Sequence, residues 1–467
     1  MGVVSPVFFG VTLSAALAIR YLGAYVSREL VLIIASALFI FCIAGNVVAT
    51  LPFWLLVFGG YLIVKNAHHA RAPLALVMLV MLVVLAWWWL RLMAQTYFLY
   101  MPAGLPGSVA VFGLSYAMFR IIHLTIDARD DELGSPLRLR AYLCYLSFFP
   151  NYLAGPVQRY QHFAPQVALP AAPIGTTTLG LAGIRASSGL FKCTVLAGSA
   201  LMLHQTCIAN STVQNAGFSA ALLATAALAF AAYLYFSFAG YVDLAICAGK
   251  LLGIDIPENF AQPLRAKNFL DFWSRWHITL SDWFRFYVFN PTLKVMLARI
   301  ERPSLAPYLG AAGYFLAFFL MGIWHGRTPA LIVYGLILGS GVSVNKLFQV
   351  WIVKRLGRRP YAALCERPGY QVFAQALALG YFVLALGFLW EPVPDFQRLD
   401  CLAMTGAAVM IFVACAVLAA LTRWFTPGRT ILSMRWSWLI AAVQAVAAAV
   451  WLWQTQGHVP KLIYQWL

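Results

Sequence analysis

The stretch 219–249 is the longest of about twelve apolar runs along the chain, and it exceeds the roughly 20 residues a helix needs to cross a bilayer. The others fall near 3–19, 30–47, 52–64, 74–95, 108–122, 178–205, 305–321, 327–345, 371–390, 401–421 and 436–454. The runs are continuous rather than alternating, which excludes a transmembrane β-barrel. Composition agrees: 62% of residues are hydrophobic and 10% charged, against about 45–50% and about 25% in soluble domains. The expected fold is all-α, a polytopic transmembrane bundle of about 11–12 spans with re-entrant or interfacial helices. Pro52 divides the run 30–64 into two helices or bends one, since proline removes a helix hydrogen bond. The N-terminus lacks a basic n-region and a small-residue cleavage site, so 3–19 is read as a retained first helix.

The formal charge of +17 would point to nucleic acid in a soluble protein. In a membrane protein the better explanation is Lys and Arg held in cytoplasmic loops, so no nucleic-acid partner is expected. Lys65 and Arg71 mark one such loop; Arg120, Arg129, Arg138 and Arg140 place 120–140 on the same side. Lys354, Arg355, Arg358 and Arg359 mark another. The 391–400 loop carries Glu391, Asp395 and Asp400 against Arg398 and faces out. Counting back puts the N-terminus outside. The link 322–326 then lies toward the outer side or deep in the membrane. The eight cysteines form no C-x-x-C pair and give no metal signature.

Three segments fit plain spans badly. In "YLSFFPNYLAGPVQRYQHF", 145–163, Pro150, Gly155 and Pro156 forbid one straight helix. It reads as a re-entrant loop ending in Arg159, or as a helix end with a cytoplasmic turn. In "NFLDFWSRWHITLSDWFRFYVF", 268–289, Phe269, Phe272, Trp273, Trp276, Leu280, Trp283, Phe284 and Tyr287 fall within about 60° of one line at helical spacing. Asp271, Arg275, Asp282 and Arg285 fall opposite. The spacing predicts one strongly amphipathic helix, lying in the interface or forming a re-entrant arm. His277 sits at the border of the stripe, where an interfacial side chain is expected. In "MGIWHGRTPALIVYGLILG", 321–339, His325 stands inside an apolar hairpin. An ionisable residue at membrane depth is a functional candidate, and histidine suits proton transfer near neutral pH. Gly322 and Gly326 permit close approach. His68, His69, His123, His162, His204 and His458 fit structural or solvent roles better.

The stretch 235–289, with Phe-Trp-x-Arg-Trp-His-x-Thr-Leu-Ser-x-Trp-Phe-Arg, the downstream Trp-His-Gly and "FFPNYLAGPVQRY", resembles the membrane-bound O-acyltransferase family. Its bacterial branches that act on alginate and teichoic acid are the most similar. Where the alginate branch continues into a Gly-Gly-Asn-Arg turn, this chain reads "NPTLKVMLARIERP". The likeness covers about 141–345. It implies N-terminal transmembrane helices over 1–140, a catalytic core with re-entrant segments over 141–345, and C-terminal transmembrane helices over 346–467. It implies transfer of an acyl group, acetyl by preference, from a cytosolic thioester through a central tunnel to an extracytoplasmic hydroxyl. His325 and His277 are the catalytic pair by this resemblance. Arg275, Trp276, Trp283, Arg285, Trp324 and Arg159 are the implied substrate-binding residues, with no metal.

The expected donor is acyl-CoA or an acyl carrier protein thioester, with no bound cofactor. Lys250, Arg265, Lys267 and Lys294 are available for an anionic donor or serve topology alone. Expected partners are membrane lipids and either an envelope polysaccharide or an extracytoplasmic acyltransferase. The expected location is the bacterial cytoplasmic membrane. D-alanyl transfer to a teichoic-acid-like polymer or a relay protein is an alternative. A transporter or flippase is the rival from another class, but it should show related halves, and the sequence has none.

Overall fold

A computed structural model describes residues 4–67, 113–133, 137–170, 174–211, 216–325, 328–390, 401–424 and 434–460. In chain order the helices are α1 Pro6–Leu22, α2 Arg28–Ala44, α3 Leu51–Lys65, α4 Leu114–Arg129, α5 Leu139–Ser147, α6 Tyr160–Ala168, α7 Thr176–Phe191, α8 Ala197–Ser211 and α9 Ala216–Leu252. There follow α10 Phe269–Trp273, α11 Ile278–Phe284, α12 Asn290–Arg299, α13 Ala306–Trp324, α14 Pro329–Leu356, α15 Arg358–Glu366, α16 Pro368–Leu386, α17 Cys401–Trp424 and α18 Met434–Gln454. Of the described residues 84% are helical, and none lies in a strand. Seven described helices are long and apolar enough to cross a membrane, and Pro6–Leu22 and Phe53–Asn66 are shorter apolar helices. The run 74–95 lies outside the described residues.

The run 30–64 forms two helices. The break comes before Pro52, at Gly45, which caps α2 in the left-handed region at φ 78° and donates its N–H to Phe41 O at 2.9 Å. Such a cap satisfies a terminal carbonyl that the helix leaves open. Pro52 then stands in the first turn of α3, where its missing N–H costs nothing.

Contacts group the chain into two units. The first comprises Met1–Leu190, Gly240–Pro257 and Ile440–Ala445; the second comprises Phe191–Ala239, Glu258–Leu439 and Val446–Leu467.

In the first unit the expected run 108–122 appears as α4, displaced toward the C-terminus. Gly113 starts it with φ 92°, and a Cβ there would meet Tyr152 O at 2.7 Å. The placement of Arg120 in a cytoplasmic loop is therefore overturned. Arg120 lies mid-helix and is 2% exposed. Its Nη1 donates to Tyr145 O at 2.9 Å and Leu146 O at 3.2 Å, and its Nη2 to Asn151 O at 3.1 Å. These are carbonyls that the end of α5 and the following turn leave without helical partners. A buried charge thus replaces the hydrogen bonds that Pro150 interrupts. Hydropathy counts only the charge and misses what it holds.

The rest of the 145–163 segment is satisfied in the same manner. Phe149 N donates to Ser36 Oγ at 3.2 Å and Ala154 N to Tyr241 Oη at 3.2 Å. Broken backbone inside a membrane protein must be covered by protein or line a cavity, and here side chains cover it. Asp243 is the one acidic side chain in 219–249, and it pairs with Arg185 of α7 at 2.7 Å.

Candidate active site

In the second unit, α13 and α14 form a hairpin whose turn carries His325. Glycines set their spacing. A Cβ on Gly322 would meet Gly335 Cα, one on Gly335 would meet Phe319 O at 2.7 Å, and one on Gly339 would meet Phe315 O at 2.8 Å. Small residues let helix backbones approach this closely. Gly322 therefore serves helix packing; Gly326 lies outside the described residues. His325 follows as the C-cap of α13, its N–H donating to Gly322 O at 3.2 Å. The ring lies 4.9 Å from Trp324 and 5.8 Å from Tyr334, centroid to centroid.

This geometry makes a sharp test. Gly322→Ala places a methyl against Gly335 and should lower folded yield and the unfolding midpoint. Gly310→Ala on the same helix meets nothing within 4 Å and should be neutral or slightly stabilising. Thermal unfolding of the two purified variants checks the contrast.

The segment 268–289 is not the single helix that its periodicity predicts. Asn268 caps α10, its Oδ1 accepting from Asp271 N at 2.9 Å. The helix ends at Trp273, and α11 starts only at Ile278. Between them His277 takes a left-handed backbone, φ 46° and ψ 51°. That conformation is uncommon for a residue with a Cβ and persists only where neighbours impose it. The neighbours are residues 259–261. Phe260 and Trp276 form an antiparallel bridge. Ala261 N donates to Arg275 O, and Ile278 N to Asn259 O, each at 3.0 Å. Asn259 Oδ1 accepts from Thr279 N at 3.1 Å and from Thr279 Oγ1 at 2.7 Å. A backbone N–H requires an acceptor, so the amide oxygen faces Thr279.

The apolar stripe survives the break. Phe269, Phe272, Trp273, Trp276, Leu280, Trp283 and Phe284 are all buried. His277 does not occupy an interfacial position; it is 4% exposed and packs on Phe238 at 4.7 Å. The helical wheel placed it at the border only because it assumed an unbroken helix. Burial first, and the charge of the nearby His325 second, disfavour protonation of His277. The two histidines, one from 268–289 and one from 321–339, thus belong to one unit, near enough for the charge of one to act on the other.

The other expected site residues divide by role. Trp276 is wedged between Phe272 at 5.6 Å, Phe260 at 5.1 Å and Phe382 at 5.0 Å. Arg275 is engaged by the protein, its Nε pairing with Asp271 at 3.1 Å and its Nη1 donating to Ala261 O at 3.3 Å. Trp283 is buried against Phe284 and Tyr287. Arg285 is exposed and pairs with Asp282 at 2.9 Å. Trp324 flanks His325. Arg159 belongs to the first unit, where it pairs with Asp127 at 3.5 Å and Glu132 at 3.3 Å. No cluster of three His, Cys, Asp or Glu suited to a metal occurs among the described residues.

Asn259 is the residue that sequence reasoning missed. It sits in an irregular stretch, and nothing in its local pattern reveals a partner twenty residues on. Asn259→Ala should leave the arm folded but release the His277 turn. The loss should cost about 1–3 kcal/mol, the scale of a buried polar group left without its partner. Thermal unfolding of the purified variant checks it.

These elements define a multi-pass helical membrane protein with His277 and His325 inside one of its units. The chain belongs to the membrane-bound O-acyltransferase family, whose model matches residues 44–388. It is 31% identical over 245 residues to the teichoic acid D-alanyltransferase of Bacillus subtilis, covering 52% of this chain and 60% of that protein. It is 30% identical over 236 residues to the "Probable alginate O-acetylase AlgI" of Pseudomonas fluorescens, covering 50% and 44%. It is 32% identical over 208 residues to the peptidoglycan O-acetyltransferase of Helicobacter pylori, covering 44% and 37%. The aligned region thus spans 60% or less of each of these relatives.

Proposed function

We propose that this chain is an O-acyltransferase that moves an acetyl group from a cytosolic thioester to a hydroxyl of an envelope polysaccharide. The observation that carries the reading is that His277 and His325 share one unit, near enough for the charge of one to act on the other, inside the region matched by the family model. His325 in its neutral form accepts the hydroxyl proton as the oxygen attacks the thioester carbonyl. The oxyanion collapses, the C–S bond breaks, and the thiolate leaves with the proton from the imidazolium. Burial keeps His277 neutral, so one ring nitrogen carries a hydrogen that can be donated to the oxyanion. A dry site protects the thioester from hydrolysis. The donor is acyl-CoA or an acyl carrier protein thioester, and an extracytoplasmic acyltransferase partner relays the group where the polymer lies beyond reach.

D-alanyl transfer to a teichoic-acid-like polymer is a second reading. It is favoured by the Bacillus subtilis relative, of which this chain covers the larger share. Mass spectrometry of envelope polymers, with and without the chain, tests both. Loss of one ester mass shift supports acyl transfer and identifies the group as acetyl or D-alanyl. An unchanged ester profile with loss of a glycan or lipid from the outer face would instead make the chain a transporter.

A further inference from the structure

A cavity of about 790 Å³ opens in the first unit where the last turn of α1, the first turn of α2, the N-cap of α5, the end of α6 and the end of α9 converge. Arg28 closes its floor. Its Nη1 donates to Gln166 O at 2.6 Å and Leu169 O at 3.2 Å, and its Nη2 to Leu252 O at 2.5 Å and Gly253 O at 2.7 Å. These carbonyls end α6 and α9, the negative poles of two helices. Left bare, they would repel an anion; Arg28 neutralises them.

Arg20 and Arg138 also line the cavity. Among the described residues neither is in an ion pair. Glu29 is the one acid in the lining. With Arg28 engaged by the helix ends, Arg20 and Arg138 against Glu29 leave an excess of one positive charge. The lining also includes the apolar side chains of Ile19, Val167, Leu169 and Leu251. A second cavity of about 320 Å³ shares Glu29, Arg138, Val167 and Ala168 with the first and extends past Phe163 and Cys144. The larger volume suits a small ligand, which typically takes about 300–1,000 Å³.

We propose that this cavity binds a phosphate-bearing amphiphile. Its phosphate lies between Arg20 and Arg138, whose forked donors match phosphate oxygens, and its apolar part follows Val167 toward Phe163. Two sources carry that chemistry: an anionic phospholipid of the surrounding leaflet, and a soluble phosphorylated thioester donor. By the distribution of Lys and Arg this end of the unit is cytoplasmic, where either is available. The assignment stands independently of the transfer chemistry at His325.

The test uses the full chain in phosphatidylcholine nanodiscs, reading the thermal unfolding midpoint and the affinity for two probes. One arm adds coenzyme A; the other replaces part of the lipid with phosphatidylglycerol. A ligand that binds the folded state raises the midpoint with its concentration. The wild type should respond to one probe, which identifies the source. The Arg20→Gln/Arg138→Gln double variant should bind that probe at least ~10-fold more weakly, about the loss of one charge-assisted contact. Both side chains are exposed, so the fold is not at risk, and Arg28 is left intact. An Arg299→Gln/Arg302→Gln variant, with exposed cations outside the cavity, should respond as the wild type does. The proposal is overturned if neither probe shifts the wild type, if the double variant responds equally, or if the control variant loses as much.

Discussion

His325→Ala should abolish detectable ester formation, with protein level and membrane insertion unchanged. The imidazole stands at the tip of a glycine-packed hairpin, beside Trp324 and Tyr334. It packs no core of its own, and removing it should leave the α13–α14 contact intact. What it removes is the base. General acid–base groups contribute about 10²–10⁴-fold, and the loss should fall in that range. His325→Gln keeps a polar side chain of similar reach but cannot take the proton, so it should be as inactive as the alanine variant. His277→Ala should also fall, through loss of a donor and collapse of the left-handed turn, and it should lose folded yield as well. The two variants are told apart by the unfolding midpoint, which only the second should lower.

Arg120→Met should be the most destabilising single change in the first unit. It preserves volume and apolar contact but leaves the carbonyls of Tyr145, Leu146 and Asn151 without their buried donor. An unsatisfied buried polar group costs about 1–3 kcal/mol, so the loss amounts to several kcal/mol. Arg120→Lys should recover little, because an ammonium on a flexible stem cannot span three carbonyls as the planar fork does. Accumulation in membranes and thermal unfolding of purified protein measure this. A Met variant as stable as the wild type would mean that water satisfies these carbonyls as well as the arginine does.

The spans from α9 to α18 were legible because length and continuous apolarity report burial in lipid directly. The same measure misplaced α4. A window that scores Arg120 as loop cannot know that three carbonyls 25, 26 and 31 residues further along the chain are waiting for it. The 268–289 stripe was read correctly as a set of buried residues and incorrectly as one helix. Periodicity constrains which side chains share a face, and two short helices with a tight turn can preserve the face while reorienting one residue. That residue is His277, and its reorientation depends on Asn259, a partner visible only when residues 259–261 pair with 275–279. The candidate histidines themselves were legible, since an ionisable side chain among aromatic rings is rare without a role. Arg275 illustrates the limit: a charge beside a catalytic-looking motif is held by Asp271 and Ala261 O, a use that spacing alone does not distinguish from contact with a substrate.

The most direct measurement is acyl transfer by the purified chain in proteoliposomes supplied with a radiolabelled acetyl thioester on one face and a hydroxyl-bearing envelope polymer on the other. The account predicts labelled ester on the polymer with the wild type and none above background with His325→Ala reconstituted at equal density. Equal labelling by the two proteins would contradict it.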